Sequence, residues 1–357
     1  MGLRREFFWR AIRTYFKIPL ANKVERIVCQ WTEADLAVDF TSLVGLPDAS
    51  VNASEVLRKL SAGKVHPHSR GRPFTTHLID VHDLLRAWKR PSVVALTGLC
   101  HSVYSTQQYP YGLRRYTERD LVRELVGDSV EKLVFLFCSH DRVHLYEQVL
   151  KLAKGGRKIP AEGLLLRNCL TGAEAIVPRE VVSVLLFVHV ADVIEQMEFF
   201  NFDFVFAMLS VADEAGNDIC EVYDLLRSSG FEASKIKLEF DSNKGTFALF
   251  ALASLSPEIR EVKKVVRRFL DGSKVPTRRD IEIFSTLSLK HPYVIELKWL
   301  LLRYDFTLDA DESDSLREEI RALYAVWGTT WAKRVFDKSP LLERMAMSGS
   351  RLNLRTE

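Results

Sequence analysis

The sequence predicts an all-α protein carrying one inserted β-hairpin, and three observations support this. Apolar residues recur at helical spacing over most of the chain, and proline and glycine punctuate these runs at helix-length intervals. One short stretch, around Thr171-Gly172, instead has the composition of paired strands. At 357 residues the chain exceeds one ordinary compact core, which predicts two lobes. The expected division is an N-terminal helical extension over 1–53, a main helical domain over 54–205 and a C-terminal helical lobe over 206–357.

The extension opens on a basic amphipathic segment, residues 1–17. Phe8, Ile12 and Phe16 share one line of the helix, with Arg10, Arg13 and Lys17 off it. Such a helix suits packing on the protein body, an acidic membrane surface or an organellar presequence, and it lacks the apolar core of a secretory signal. From Ser54 to Met197 helix follows helix, with breaks at Pro73, Pro91, Gly127 and Pro178 and candidate N-caps at Ser92 and Thr117. The interruption runs from Lys154 to Pro178, where Gly163 to Val177 reads as a hairpin ahead of the helix that carries Asp192.

Beyond about Phe206, Pro257 opens one helix and Thr277 another, and His291-Pro292 precedes a strongly apolar third. Short loops suit stacked helical hairpins, though no repeat period emerges. The aromatic run Phe199 to Phe206 reads as packing between the lobes. Asp309 to Asp314 begins like a calcium loop, but Asp314 stands in place of the turn glycine and Ile320 in place of the closing glutamate. It reads as a solvated loop capping the Leu316 helix.

A composition of 47% hydrophobic and 27% charged residues is that of a soluble globular protein, and a net charge of +3 is too small to argue for nucleic acid. The five cysteines are scattered without a Cys-x-x-Cys pair, which excludes a familiar zinc ribbon or disulfide framework and fits an intracellular, reducing compartment. No apolar run reaches the roughly 18 residues that span a bilayer. Phosphate-loop, dinucleotide-binding and nucleophile-elbow motifs are absent.

The chemistry concentrates in polar residues set inside apolar helical runs. His77 lies in Phe74-Thr-Thr-His-Leu-Ile-Asp80, His101 in Gly98-Leu-Cys-His-Ser-Val-Tyr104, and Asp192 in Val188-His-Val-Ala-Asp-Val-Ile-Glu195. A lone histidine on an apolar helix is usually a hydrogen-bonded core residue. Three helices each bringing one polar group to a common point is how an all-α scaffold builds a metal site.

The order and context of these residues resemble the HD-domain superfamily of metal-dependent phosphohydrolases, above all the RelA/SpoT-type hydrolases of guanosine tetraphosphate. The resemblance covers about Ser54 to Met197. It implies an HD-like helical core in which His77, His101 and Asp192 hold a divalent metal (Mn, Fe or Zn) and act on a phosphoester or nucleotide-like small molecule. The chain departs from the family at Ser102, where the His-Asp doublet has its aspartate, and at Ser105-Thr106, where those hydrolases carry an acidic pair that handles the nucleophilic water. A neutral hydroxyl is a poorer ligand for a hard cation.

Auxiliary candidates are Ser102, His140, Asp141, His189 and Glu195. His189 and Glu195 each lie one turn from Asp192, and an extra histidine at His140 would suit the di-iron oxygenases of the same superfamily. Asp141-Arg142 reads equally as capping and solvation at a helix end. Arg70, Arg72, Tyr104, Tyr109 and Arg114 flank the histidines and suit an anionic, ring-bearing ligand, or a plain protein interface. The readings that stand are a metal-dependent HD-type hydrolase, a catalytically silent HD scaffold binding a small ligand or a protein partner through its helical lobe, and an HD-type iron oxygenase.

Overall fold

A computed structural model describes residues 28–40, 52–61, 73–107, 109, 111–196, 201–212, 221–236, 238, 257–270, 274–305 and 307–336. The basic segment 1–17 and the candidates Arg70 and Arg72 lie outside the described residues. In chain order the helices before the hairpin are α1 (Glu33–Leu36), α2 (Ala53–Ser61), α3 (Phe74–Ala87), α4 (Ser92–Cys100), α5 (Arg119–Val126), α6 (Asp128–Ser139) and α7 (Arg142–Lys154). Strands β1 (Leu164–Arg167) and β2 (Glu174–Val177) follow. Then come α8 (Arg179–Gln196), α9 (Phe202–Val211), α10 (Glu221–Ser228), α11 (Pro257–Phe269), α12 (Arg278–Lys290), α13 (Ile295–Tyr304) and α14 (Ala310–Phe336). Among the described residues the protein is helical with one hairpin, as expected.

The hairpin pairs antiparallel, Leu164 with Val177 and Arg167 with Glu174. Gly172 turns the connection at φ +77°, a conformation that a side chain disfavours. Leu164, Leu166 and Val177 point to the core while Leu165 and Ile176 face out, the alternation a half-buried strand requires.

The centre of the molecule is α8. Its residues from Val181 to Ala191 are all buried, because apolar side chains occupy its whole circumference rather than one stripe. It packs against α3, α4, α6 and α9, and α3 packs in turn on α4. Gly98 permits that last contact, since a Cβ there would collide with Leu85 Cδ1 and crowd Val81. The long α14 lies on α3 and α13, and Trp88 Nε1 donates to Val326 O at 2.7 Å. Phe202 touches Tyr293 and Trp327, with ring centroids 4.6 and 5.8 Å apart, while Phe199 and Phe200 of the aromatic run lie outside the described residues. The boundary expected after residue 205 falls inside α9.

Local rules set most helix starts. Thr277 caps α12 through a reciprocal pair with Asp280, and Pro257 opens α11. The expected caps Ser92 and Thr117 are displaced: Pro91 precedes α4, and Thr117 sits in a 3-10 turn ahead of α5. Asp309 to Asp314 is not a loop. Asp309 accepts from Glu312 N at 2.8 Å, its own N–H donates to Glu312 at 3.0 Å, and the acidic run forms the first turn of α14. Acidic residues complement the positive end of a helix dipole, which favours a helical start for this run while Asp309, Asp311, Glu312 and Asp314 stay exposed.

Candidate metal centre

Three helices converge on one buried point. His77 lies on the inward face of α3, with Phe74 one turn before it, Val81 one turn after it and buried Leu78 beside it. His101 is the C-cap of α4, and Asp192 projects from the last turns of α8. All three are buried, at 1%, 1% and 4% exposure. The close α3–α4 approach at Gly98, one turn before His101, brings the two imidazoles together. His77 Nε2 is 3.2 Å from His101 Nε2, and Asp192 Oδ1 is 3.3 Å from the first and 3.5 Å from the second.

The ring nitrogens on the far side are already committed. His101 Nδ1 donates to Gly98 O at 2.7 Å, and a carbonyl can only accept. His77 Nδ1 meets the fully buried Glu195 carboxylate. Both Nε2 atoms are therefore lone-pair positions in the neutral rings, and they face each other across a gap that Asp192 Oδ1 also borders. Two acceptors and a carboxylate in one buried pocket are held together by a shared proton on His77 or by a metal ion, which these three groups could hold. Burial alone would push the His77 pKa down, but Asp192 and Glu195 outweigh it and raise it to about 9. Burial opposes charge on Asp192 as well, yet His101 and His77 hold its carboxyl well below the usual range.

The donor set fits a metal ion. Nitrogen and oxygen ligands at ~2.0–2.1 Å with tetrahedral angles lie roughly 3.3–3.4 Å apart, matching the three separations here. The supporting contacts fit too, because imidazole ligands are normally oriented through the other nitrogen by a carboxylate or a carbonyl. Gln196 donates to Asp192 Oδ1, and Arg142 Nη1 stands 3.7 Å from Asp192 Oδ2.

A second histidine pair lies behind the first. The ring of Phe137 touches His101, His140 and His189, with centroid separations of 5.4, 5.6 and 4.4 Å. Here every ring nitrogen is satisfied by a neutral tautomer. The Tyr146 hydroxyl donates to His189 Nδ1 (3.0 Å), His189 Nε2 to His140 Nε2 (2.9 Å), and His140 Nδ1 to Leu136 O (3.0 Å). Burial and Arg142 push the His140 pKa down to about 3 and that of His189 well below 6.5. His140 and His189 thus form a neutral hydrogen-bond chain outside the group of His77, His101 and Asp192.

The remaining candidates divide. Glu195 is in the cluster as the partner of His77. Ser102 is buried in the turn beside His101. Asp141 caps α7 by accepting from Val143 N and His144 N, the structural alternative of its two readings. Arg142, expected to be solvated, is instead 4% exposed and lies over Phe137. Tyr104 is engaged by another carboxylate: its hydroxyl donates to buried Glu131 at 2.9 Å, where Arg119 also binds. Arg114 holds Lys59 O at 2.8 Å and Glu118 at 3.3 Å, tying loop to helix. Tyr109 is one ring removed from the cluster: it packs on Phe74 at 4.7 Å, and Phe74 lies 6.2 Å from His77. Sequence reasoning missed Arg142 as a neighbour of Asp192. The available signal was a basic residue directly after an apolar helix rich in core residues.

A family model described as a domain of unknown function (DUF6817) matches residues 56–142, a span that includes His77 and His101 and ends ahead of Asp192. No curated protein and no solved structure matches the chain.

Proposed function

We propose that His77, His101 and Asp192 hold a divalent metal ion, and that the protein is a divergent HD-type metal-dependent hydrolase of a phosphoester or nucleotide-like small molecule. The observation that carries the metal reading is the facing pair of Nε2 atoms at 3.2 Å, each with its Nδ1 already engaged, beside Asp192 Oδ1. The HD-type resemblance in the order His77, His101, Asp192 supports the reaction class. A bound divalent ion would polarise a phosphoryl oxygen and make water a better nucleophile near neutral pH. The chain supplies the rest. Glu195 and Gly98 O fix the two imidazoles in the tautomer that presents Nε2, and Phe137 packs against His101.

The test has two stages. Elemental analysis of freshly purified protein should find one manganese, iron or zinc per chain, lost in His101→Ala. The loaded protein should then cleave a generic phosphodiester or nucleotide, and Asp192→Asn should abolish this. A metal-free wild type would refute the metal reading.

The alternative of a silent, ligand-binding scaffold has its own support. At the positions where RelA/SpoT-type hydrolases carry water-handling acids, Ser105 adopts φ +76° and Thr106 closes a turn with Tyr109, its hydroxyl accepting from Tyr109 N at 3.1 Å. Metal content without turnover of any phosphoester would select that reading.

A further inference from the structure

The net charge of the chain is not spread evenly. Residues 257–290 hold nine Lys or Arg against five Asp or Glu, a surplus larger than that of the whole protein. The structure places this segment in α11 and α12. Ile259, Val262, Val266 and Phe269 bury one side of α11. At about 100° per residue the opposite side falls to Arg260, Lys264, Arg267 and Arg268, all exposed, with Lys263 half-buried beside them. Glu261 stands at the edge of this stripe and pairs with Lys264 at 2.6 Å.

The stripe continues onto α12. Phe269 packs on Phe284 with ring centroids 5.2 Å apart, which sets the end of α11 against α12. The Asp280 carboxyl is held below its usual range by its bonds from Thr277 and then by the nearby charges of Arg268 and Lys274. Lys274, Arg278 and Arg279 are exposed there, with Glu282 3.5 Å from Arg278.

Exposed apolar side chains lie among these cations. Val275 is 76% exposed and Leu289 82%, and Leu289 stands three turns along α12 on the line of Arg278. The two aromatic rings of the segment, Phe269 and Phe284, are buried. A surface that stacks on bases presents aromatic rings. One that meets a bilayer presents cations to lipid phosphates and aliphatic side chains to the acyl boundary.

We infer that the basic stripe of α11 and the start of α12 form a peripheral docking surface for an anionic lipid membrane, with Val275 and Leu289 entering the headgroup layer. This assignment does not depend on the metal reading.

The test is co-sedimentation of the full chain with vesicles of phosphatidylcholine alone and of phosphatidylcholine containing about 30% phosphatidylserine. Fluorescent single- and double-stranded oligonucleotides are titrated in parallel. The chain should bind the anionic vesicles and not the neutral ones, and added salt should release it. Arg268→Gln combined with Lys274→Gln should weaken vesicle binding roughly 30-fold, about fivefold per charge removed. Val275→Ser combined with Leu289→Ser, which leaves every charge in place, should weaken it several-fold. All four side chains are exposed, so both variants should keep the wild-type melting temperature. A wild type indifferent to anionic vesicles overturns the proposal. Oligonucleotides bound more tightly than vesicles overturn it too and make the stripe a nucleic-acid surface. A charge variant that binds like wild type overturns it as well, since the contact then lies elsewhere, such as on the basic segment 1–17. An apolar variant that does so overturns the insertion of Val275 and Leu289.

Discussion

His189 Nε2 sits 2.9 Å from His140 Nε2, and the groups at either end of the pair, the Tyr146 hydroxyl and Leu136 O, fix both tautomers. The contact resembles the His77–His101 pair in distance but differs from it in proton count. One pair is complete without a charge, and the other needs a cation.

That difference gives the metal-free protein a stability optimum in pH. His140 titrates near 3 and His189 well below 6.5 when folded, so the unfolded chain binds more protons as the pH drops below 6.5. Their contribution is complete above about 6.5 and is lost as pH falls toward 3. His77, raised to about 9, acts oppositely: its contribution is complete below 6.5 and is lost as pH rises through 9. Denaturant unfolding of chelated protein should therefore peak near pH 6.5 and weaken on both sides. A bound metal ion would replace the proton on His77, so loading should remove the alkaline loss. A profile that is flat from pH 4.5 to 9 would contradict both assignments.

Glu195→Gln should leave the fold intact and weaken metal binding by about 10–100-fold, because a neutral amide orients the His77 ring without raising its basicity. Metal titration of the variant checks this. Unchanged affinity would mean Glu195 is a packing partner only.

Gly98→Ala sets two effects against each other. Replacing glycine within a helix gains up to about 1 kcal/mol, while forcing a methyl against Leu85 and Val81 in a packed core costs about 1–3 kcal/mol. The clash should win, since Leu85 is fully buried and Val81 is stiff at χ1. Net destabilisation near 1 kcal/mol is expected, with weaker metal binding as α4 carries His101 away from His77. A stabilised variant would show that the α3–α4 approach does not depend on Gly98.

Ser102→Asp tests the metal by sign. With an ion present, an anionic oxygen beside His101 should raise the melting temperature in a metal-dependent way. Without one, the change buries a carboxylate next to Leu99 and Val103 and should cost several kcal/mol. A fall that manganese, iron or zinc cannot reverse would count against the metal site.

The sequence by itself determined the elements and the candidates. Helical periodicity, the Thr277–Asp280 cap and the Thr171-Gly172 turn are local, and local physics settled them. The three polar residues inside apolar runs were visible because burying such a group without a partner is costly, and the folded chain does gather His77, His101 and Asp192. What surrounds them was decided by tertiary structure. His189 and Glu195 stand one turn either side of Asp192, yet Glu195 meets His77 while His189 turns to His140. Tyr104 follows His101 closely in sequence and serves Glu131, whereas Arg142, read as a solvated helix end, lies buried beside Asp192. Periodicity says which face of a helix is inward, but the neighbour that covers each position is fixed only when the helices pack. Here that packing turns on the crossing of α3, α4 and α8 and on the absence of a side chain at Gly98.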